Sequence, residues 1–214
     1  MRCLFFELWP RRFLLCFLLL LYFCHTILPV QAKQKSDNND NNNNNNNKKK
    51  NEKSPDESFF LLCSGGEAEK VRELLEEHPE WVHAVTDHGE SCLHLTGIYG
   101  QTDVTKLLLQ GGADPNYRST FSEGLRMHPL SWNVYGNHYD NAKLLLEAGA
   151  DVNADFDLVL GGEENLEVVT VLDIVQRMEE SSGSFEKIEA LLLEHGAKTM
   201  ADLKAEKAKK DQEL

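Results

Sequence analysis

Positive charge and cysteine are both scarce in this sequence of 214 residues. It holds 22 Lys and Arg against 35 Asp and Glu, which gives a formal net charge of −13. Nucleic-acid binding depends on basic side chains that neutralise phosphates, so this balance argues against a nucleic-acid partner. The five cysteines include no C-x-x-C pair, which excludes a zinc ribbon and a dithiol redox motif.

Motifs for catalysis and for metal or cofactor binding are also absent from the sequence. It contains no H-E-x-x-H, no G-x-S-x-G, no Walker loop and no dinucleotide fingerprint. No two of the clustered histidines are four residues apart, as zinc ligands on one helix would be; these are His78, His83, His88 and His94. We therefore expect no catalytic residue, no metal and no cofactor, and we expect that the chain is not an enzyme.

The amino terminus resembles a secretory signal peptide. Residues 13–24 are apolar and uncharged, three arginines precede them, and the small residues Val30 and Ala32 follow at the spacing of a cleavage site. We predict cleavage after Ala32, which removes residues 1–32. The alternative is an uncleaved membrane anchor over residues 13–30, because this stretch approaches the length that spans a bilayer.

A cleaved leader would place the chain in the secretory pathway, with consequences for its cysteines and its destination. Only Cys63 and Cys92 would remain. An oxidising compartment permits a disulfide between them, although the sequence favours two separate thiols, each buried in its own helix. The last four residues, D-Q-E-L, share only Glu213 and Leu214 with the K-D-E-L retrieval signal. The sequence therefore leaves open retention in the endoplasmic reticulum lumen and secretion.

Residues 33–55 have the composition of a disordered tether. Nine of the ten residues 38–47 are Asn, and the tether has no aliphatic or aromatic residue that could offset the entropy of ordering. Residues 54–214, in contrast, carry 13 basic and 31 acidic residues, a net charge of −18. Such a charge repels nucleic acid and anionic lipid, and it favours a protein partner with a basic or amphipathic patch.

Two phrases recur along the acidic part of the chain. A leucine run that ends in Gly-Ala occurs three times, and its glycines Gly112, Gly149 and Gly196 are 37 and then 47 residues apart. A second phrase, DHGESCLHLT at residues 87–96, has two looser copies downstream. The leucines recur at helical spacing, and a glycine directly after them is typical of a helix end.

These phrases resemble those of the ankyrin repeat, whose period is about 33 residues. The resemblance implies an all-α fold, a solenoid of about four helix-turn-helix repeats joined by finger loops. We assign the repeats to residues 56–200, as units at 57–86, 87–119, 120–153 and 154–198, with a capping helix and polar tail at 199–214. The structural positions that the resemblance implies are Gly89, Leu93, His94, Gly112, Asp114, Asn116, Gly149, Asp151, Asn153 and Gly196.

Departures from the regular period predict insertions at residues 118–127, 155–168 and 179–184. Insertions in repeat arrays fall on loops, often on the binding face. The candidate partner contacts are therefore Phe121, Arg126, Phe156, Leu158 and Leu160, extended by Trp132 and Tyr135 on the adjoining helix. Any one of these apolar side chains is more simply explained by packing beneath its own loop, but the finger surface as a whole is the predicted binding face.

The sequence thus predicts a non-catalytic protein-interaction module in the secretory pathway, either luminal or secreted. It would bind its partner through the concave face and finger loops, and after cleavage it would have no membrane contact. One alternative is an acidic luminal protein that buffers calcium weakly, although its acidic pairs lack EF-hand spacing. Another is a membrane-anchored ankyrin adaptor that keeps residues 13–30.

Overall fold

The computed structural model describes residues 55–120, 126–159, 166–182 and 185–213. The predicted leader and nearly all of the predicted tether lie outside these residues. Within them, nine α-helices, one 3-10 helix and one two-stranded sheet are formed. The α-helices are α1 (Glu57–Gly65), α2 (Ala68–Glu77), α3 (Cys92–Tyr99), α4 (Thr102–Gln110), α5 (Pro129–Tyr135), α6 (Tyr139–Glu147), α7 (Val171–Ser182), α8 (Glu186–Glu194) and α9 (Met200–Gln212). The 3-10 helix is Pro79–His83, and the strands are β1 (Phe156–Val159) and β2 (Leu166–Val169).

The first eight helices form four pairs that stack in two layers. The first helices α1, α3, α5 and α7 contact one another in that order, and so do the second helices α2, α4, α6 and α8. Equivalent residues of the four first helices fill the core between the layers; these are Phe59, Leu93, Leu130 and Leu172, all at most 3% exposed. The described residues therefore form the predicted all-α solenoid of four helix-turn-helix units.

Residues with a left-handed backbone follow most of the paired helices. Gly112, Gly149 and Gly196 have φ of 90°, 90° and 80° after the leucine-rich helices. A Cβ at any of the three would meet no atom within 4 Å, so the conformation itself, and not crowding, requires glycine there. Asn137 (φ 56°) takes the position between the helices of the third pair that Gly100 (φ 74°) takes in the second.

Two asparagines bridge consecutive repeats through backbone atoms. The Asn116 side chain donates to the Gly149 carbonyl over 3.0 Å and accepts from the Asp151 N–H over 2.7 Å. Asn153 repeats the arrangement one unit later, with the Gly196 carbonyl at 3.2 Å and the Lys198 N–H at 2.8 Å. Each bridge ties the end of one repeat to the end of the next, which explains the asparagine in the repeated phrase.

Asn116→Ala is expected to lower the free energy of unfolding by about 1 kcal/mol, because two hydrogen bonds between repeats are lost at a solvent-exposed site. Urea denaturation followed by far-UV circular dichroism measures the change. Asn153→Ala removes the matching pair of bonds and should have a comparable effect. Stability equal to that of the wild type in both variants would show that the bridges do not contribute.

The predicted insertions take three different forms. Residues 155–168, expected as a finger loop, contain an antiparallel hairpin in which Phe156 pairs with Val169 and Asp157 with Val168. The insertion at 179–184 mainly lengthens α7, which continues to Ser182. The middle of the 118–127 insertion lies outside the described residues, and its ends are joined by a hydrogen bond from the Ser119 N–H to the Met127 carbonyl.

The last repeat uses an aspartate where the second has a histidine. Asp173 accepts hydrogen bonds from the Thr170 N–H (2.8 Å) and from the Met200 N–H (3.0 Å), the first residue of α9. Thr199 and Asp202 cap the same helix reciprocally. The change from His to Asp therefore suits a repeat that is followed by a helix start, whose free N–H groups require an acceptor.

The two cysteines of the repeats are joined by a disulfide, which corrects the prediction of separate thiols. Cys63 on α1 and Cys92 at the start of α3 have Cα atoms 5.7 Å apart, and both residues are buried. The stacking of the first helices brings these residues together, although 29 positions separate them in sequence. The disulfide joins the first repeat covalently to the second.

Candidate interaction surface

One face of each first helix points away from both the neighbouring helices and the second layer. On α3 this face carries Leu95, Ile98 and Tyr99, which follow the spacing i, i+3, i+4 of a helix face. Leu95 and Ile98 are partly exposed, and Tyr99 is 43% exposed. The corresponding face of α1 carries Leu61, which is 47% exposed. We call this row of faces the concave face, as in a repeat solenoid.

The concave face is open at its amino-terminal end and covered at the other. The decisive residues lie two positions after the buried core residue of each first helix. The exposed fraction at this position is 47% for Leu61, intermediate for Leu95, 8% for Trp132 and 6% for Ile174. An apolar partner can therefore reach α1 and α3 at this position, but not α5 and α7.

An ion pair joins the β1–β2 hairpin to α7. Glu167 of β2 pairs with Arg177, which lies one turn after Ile174 on the same helix face, and one of the hydrogen bonds measures 2.9 Å. The Arg177 hydrogen bond lowers the pKa of Glu167, and Glu167 raises the pKa of Arg177. Phe156 and Val169, on the same hairpin face as Glu167, are each 1% exposed.

A second group of ion pairs attaches the hairpin to the preceding finger. Asp157 pairs with Arg118 at 3.2 Å and also with Arg126. Arg118 donates from Nε to the Arg126 carbonyl over 2.9 Å, and its guanidinium lies 3.9 Å from Asp155. The two arginines of this finger are thus neutralised by carboxylates of the hairpin.

The candidate contacts predicted from the insertions have different surroundings in the structure. Phe156 and Trp132 are buried, so they are not on the accessible surface; Trp132 packs where α5 approaches α3 at Gly97. Tyr135 is partly exposed, and Arg126 is exposed but paired with Asp157. Phe121, Leu160 and the side chain of Leu158 lie outside the described residues. Of the seven, Arg126 and Tyr135 therefore remain predicted contacts on an accessible surface.

Sequence reasoning missed Leu61, Leu95, Ile98 and Tyr99 as surface residues. The sequence did contain a signal for them, because α3 is apolar on almost every side. Packing against the other helices requires only one apolar face. Only the stacking of α1 on α3 shows which of the two apolar faces lies inside.

His94 joins the start of α3 to the next finger in a buried hydrogen-bond chain. Its Nδ1 lies 2.8 Å from Ser91 Oγ and accepts from the Ser91 N–H, while Nε2 lies 3.1 Å from the Met127 carbonyl. The carbonyl can only accept, so Nε2 carries the proton and Nδ1 is bare. Burial lowers the pKa of His94 to about 4, and the imidazole is neutral at physiological pH.

Glu90 is a partly buried carboxyl group in the first finger. Burial raises its pKa from 4.5 to about 7. Because the carboxyl pKa is raised, Glu90 contributes fully to stability only below its pKa in the unfolded chain. This contribution decreases as the pH rises and is lost above about 7. The first finger is therefore less stable in neutral and alkaline than in mildly acidic solution.

Glu90→Gln is expected to be more stable than the wild type by about 2 kcal/mol at alkaline pH, with partial exposure taken into account. The difference should vanish near pH 4, where the wild-type carboxyl is protonated in both states. Urea denaturation at a series of pH values measures it. A difference that does not depend on pH would contradict this interpretation, since glutamine removes only the ionisation.

No group of three or more His, Cys, Asp or Glu side chains in residues 55–120, 126–159, 166–182 and 185–213 could hold a metal ion. In the same residues no helix combines the length and the apolar character that crossing a membrane requires.

Comparison with known proteins agrees with the stacked helix pairs and the repeated phrases. Residues 59–155 match the family model for ankyrin repeats, in three copies. These residues are thus similar to ankyrin repeats. The fourth pair, α7 and α8, continues the stack of the ankyrin array, with α7 against α5 and α8 against α6.

Two curated proteins share sequence with this chain. The serine/threonine-protein kinase VIK of Arabidopsis thaliana is 46% identical over 91 residues, which cover 35% of this chain and 21% of the kinase. An ankyrin repeat protein of Acanthamoeba polyphaga mimivirus is 33% identical over 81 residues, which cover 38% of this chain and 10% of that protein. The match to the kinase lies in the ankyrin region only, so the similarity covers the interaction fold and no catalytic domain.

Proposed function

We propose that the chain is a non-catalytic protein-interaction module of the secretory pathway. It binds a protein partner with a basic or amphipathic patch through the concave face and fingers of its ankyrin array. Ankyrin repeats generally mediate protein–protein interaction, and the observation that carries the proposal is the apolar, accessible concave face of α1 and α3 within a strongly acidic chain. Opposite charge accelerates and orients the association of such a partner.

The disulfide supports the proposed compartment. Disulfides persist in oxidising compartments and are rare in the cytosol. The Cys63–Cys92 bond therefore suits a luminal or extracellular ankyrin array, which agrees with the predicted leader of residues 1–32. Because both sulfur atoms are buried between α1 and α3, the bond belongs to the folded array and not to its surface.

Cell fractionation combined with intact-mass measurement tests the compartment. We expect a soluble luminal or secreted protein that begins at Lys33 and has both cysteines oxidised. A full-length chain in the membrane pellet would favour the anchored alternative. A full-length, reduced chain in the cytosol would contradict the secretory proposal and leave the interaction module in a different place.

Cross-linking inside intact cells tests the interaction. We expect one or a few protein partners to be linked to the array, and the linked residues of the array to lie on its first helices or fingers. Links distributed equally over both helix layers would contradict a dedicated binding face, because a random neighbour would meet the second helices as often as the first.

A further inference from the structure

We propose that the amino-terminal half of the concave face is the docking site, and that its occupant is a basic amphipathic helix of the partner. This inference rests on the proposed function and narrows it to one surface and one kind of ligand. The site consists of Leu61, Leu95, Ile98 and Tyr99, and we call it the amino-terminal patch. Three of its residues stand at helical spacing on α3, and Leu61 lies on the adjacent α1, an arrangement that an amphipathic helix can cover.

The first reason is that the other half of the concave face is not accessible at the decisive position. Ile174 and Trp132 are buried at the position where Leu61 is exposed. On this side the hairpin is joined to α7 by the Glu167–Arg177 pair and to the preceding finger by Asp157. The accessible apolar surface is therefore confined to α1 and α3.

The second reason is the distribution of charge. Between residues 55 and 105 the only basic residues are Lys70 and Arg72, which lie on α2 in the other layer and pair with Glu67 and Glu69. The elements next to the patch carry acidic side chains and no Lys or Arg, with Asp56 and Glu57 at the start of α1 and with Asp87 in the first finger. A basic ligand therefore meets an acidic border at this half.

The carboxy-terminal half of the concave face, in contrast, has arginines beside it. Arg118, Arg126 and Arg177 all lie on the fingers or on the concave face of α7. Because these arginines and the neighbouring carboxylates neutralise one another, this half does not attract a lysine-rich helix as α1 and α3 do. Charge and access therefore both place a basic amphipathic ligand at the amino-terminal patch.

The third reason is that the patch is rigid. The Cys63–Cys92 disulfide lies directly beneath it and fixes α1 to α3. A surface that is held in its bound shape loses little conformational entropy when a ligand docks. Reduction of the disulfide is accordingly expected to weaken binding at the patch.

A labelled synthetic helix provides the test. The probe is an 18-residue peptide of leucines at i, i+3, i+4 and i+7 with lysines elsewhere, and its binding to the purified, oxidised protein is measured by fluorescence anisotropy at physiological salt. Leu61→Lys places a positive charge in the patch, and Leu193→Lys places the same charge on α8, where the leucine is 52% exposed in the second layer. We expect Leu61→Lys to weaken binding at least about tenfold and Leu193→Lys to change it less than about twofold.

A second matched pair removes apolar contact without adding charge. Tyr99→Ser should weaken probe binding, whereas Tyr139→Ser on α6, at a similarly exposed tyrosine, should not. Equal losses for the patch variants and their controls would overturn the location, since net charge alone would then explain binding. No binding of the probe by the wild type would overturn the proposed ligand, whereas the cross-linking result decides the interaction function independently.

Discussion

Reduction of the Cys63–Cys92 disulfide is expected to lower the free energy of unfolding by about 3–4 kcal/mol. The bond closes a loop between residues 29 positions apart, and the entropy that such a loop removes from the unfolded chain accounts for a stabilisation of this size. The effect should concentrate in α1 and α2, because a terminal repeat has only one neighbour and depends on it most strongly. Hydrogen exchange in α1 and α2 should therefore accelerate before exchange in α5 and α6.

The experiment compares urea denaturation of the oxidised and reduced proteins, with alkylation of both thiols confirming complete reduction. The double variant Cys63→Ala/Cys92→Ala is the control, because reductant should not change its stability. If reductant destabilised the double variant as much as the wild type, the loss would not come from the disulfide. If fully reduced wild type kept its stability, the bond would be a consequence of proximity and would not stabilise the fold.

The repeats were predictable because a short stretch of sequence determines the helices and turns of each one. A leucine stripe followed by Gly112 or Gly149 predicts a helix and its end, and the spacing between copies predicts stacking. The structure adds what local sequence does not contain, namely the register of one helix against the next. Cys63 occupies the helix position that Gly97 occupies in the following repeat, and only this register brings it to Cys92.

The same limit explains why two of the predicted contact residues, Phe156 and Trp132, are buried. An insertion signals a loop, but the sequence does not show whether the loop extends into solvent or folds back. Alternation in the strands places Phe156 and Glu167 on one face, and this face turns toward α7 because Arg177 supplies the opposite charge. Phe156 is therefore buried, although the sequence alone makes it a candidate for an exposed contact.

Acidification from about pH 7 to about pH 4 is expected to remove about 3 kcal/mol of stability through His94. Burial lowers the folded-state pKa of His94 from 6.5 to about 4. Between these two pH values His94 binds a proton in the unfolded chain but not in the folded one. Its contribution to the free energy of unfolding is therefore complete above pH 6.5 and is lost as the pH falls toward 4. Glu90 acts in the opposite direction over part of this range, which makes a comparison of variants necessary.

His94→Gln isolates the contribution of the imidazole. Glutamine can donate to the Met127 carbonyl and accept from the Ser91 N–H, as the neutral histidine does, but it does not titrate. We expect the variant to lose less stability than the wild type between pH 6.5 and pH 4, as measured by urea denaturation at each pH. Equal losses would mean that His94 does not control the acid response. The expected result would instead show that the start of α3 is held by a bond that exists only while this histidine is neutral, because a protonated Nδ1 would face the Ser91 N–H as a second donor.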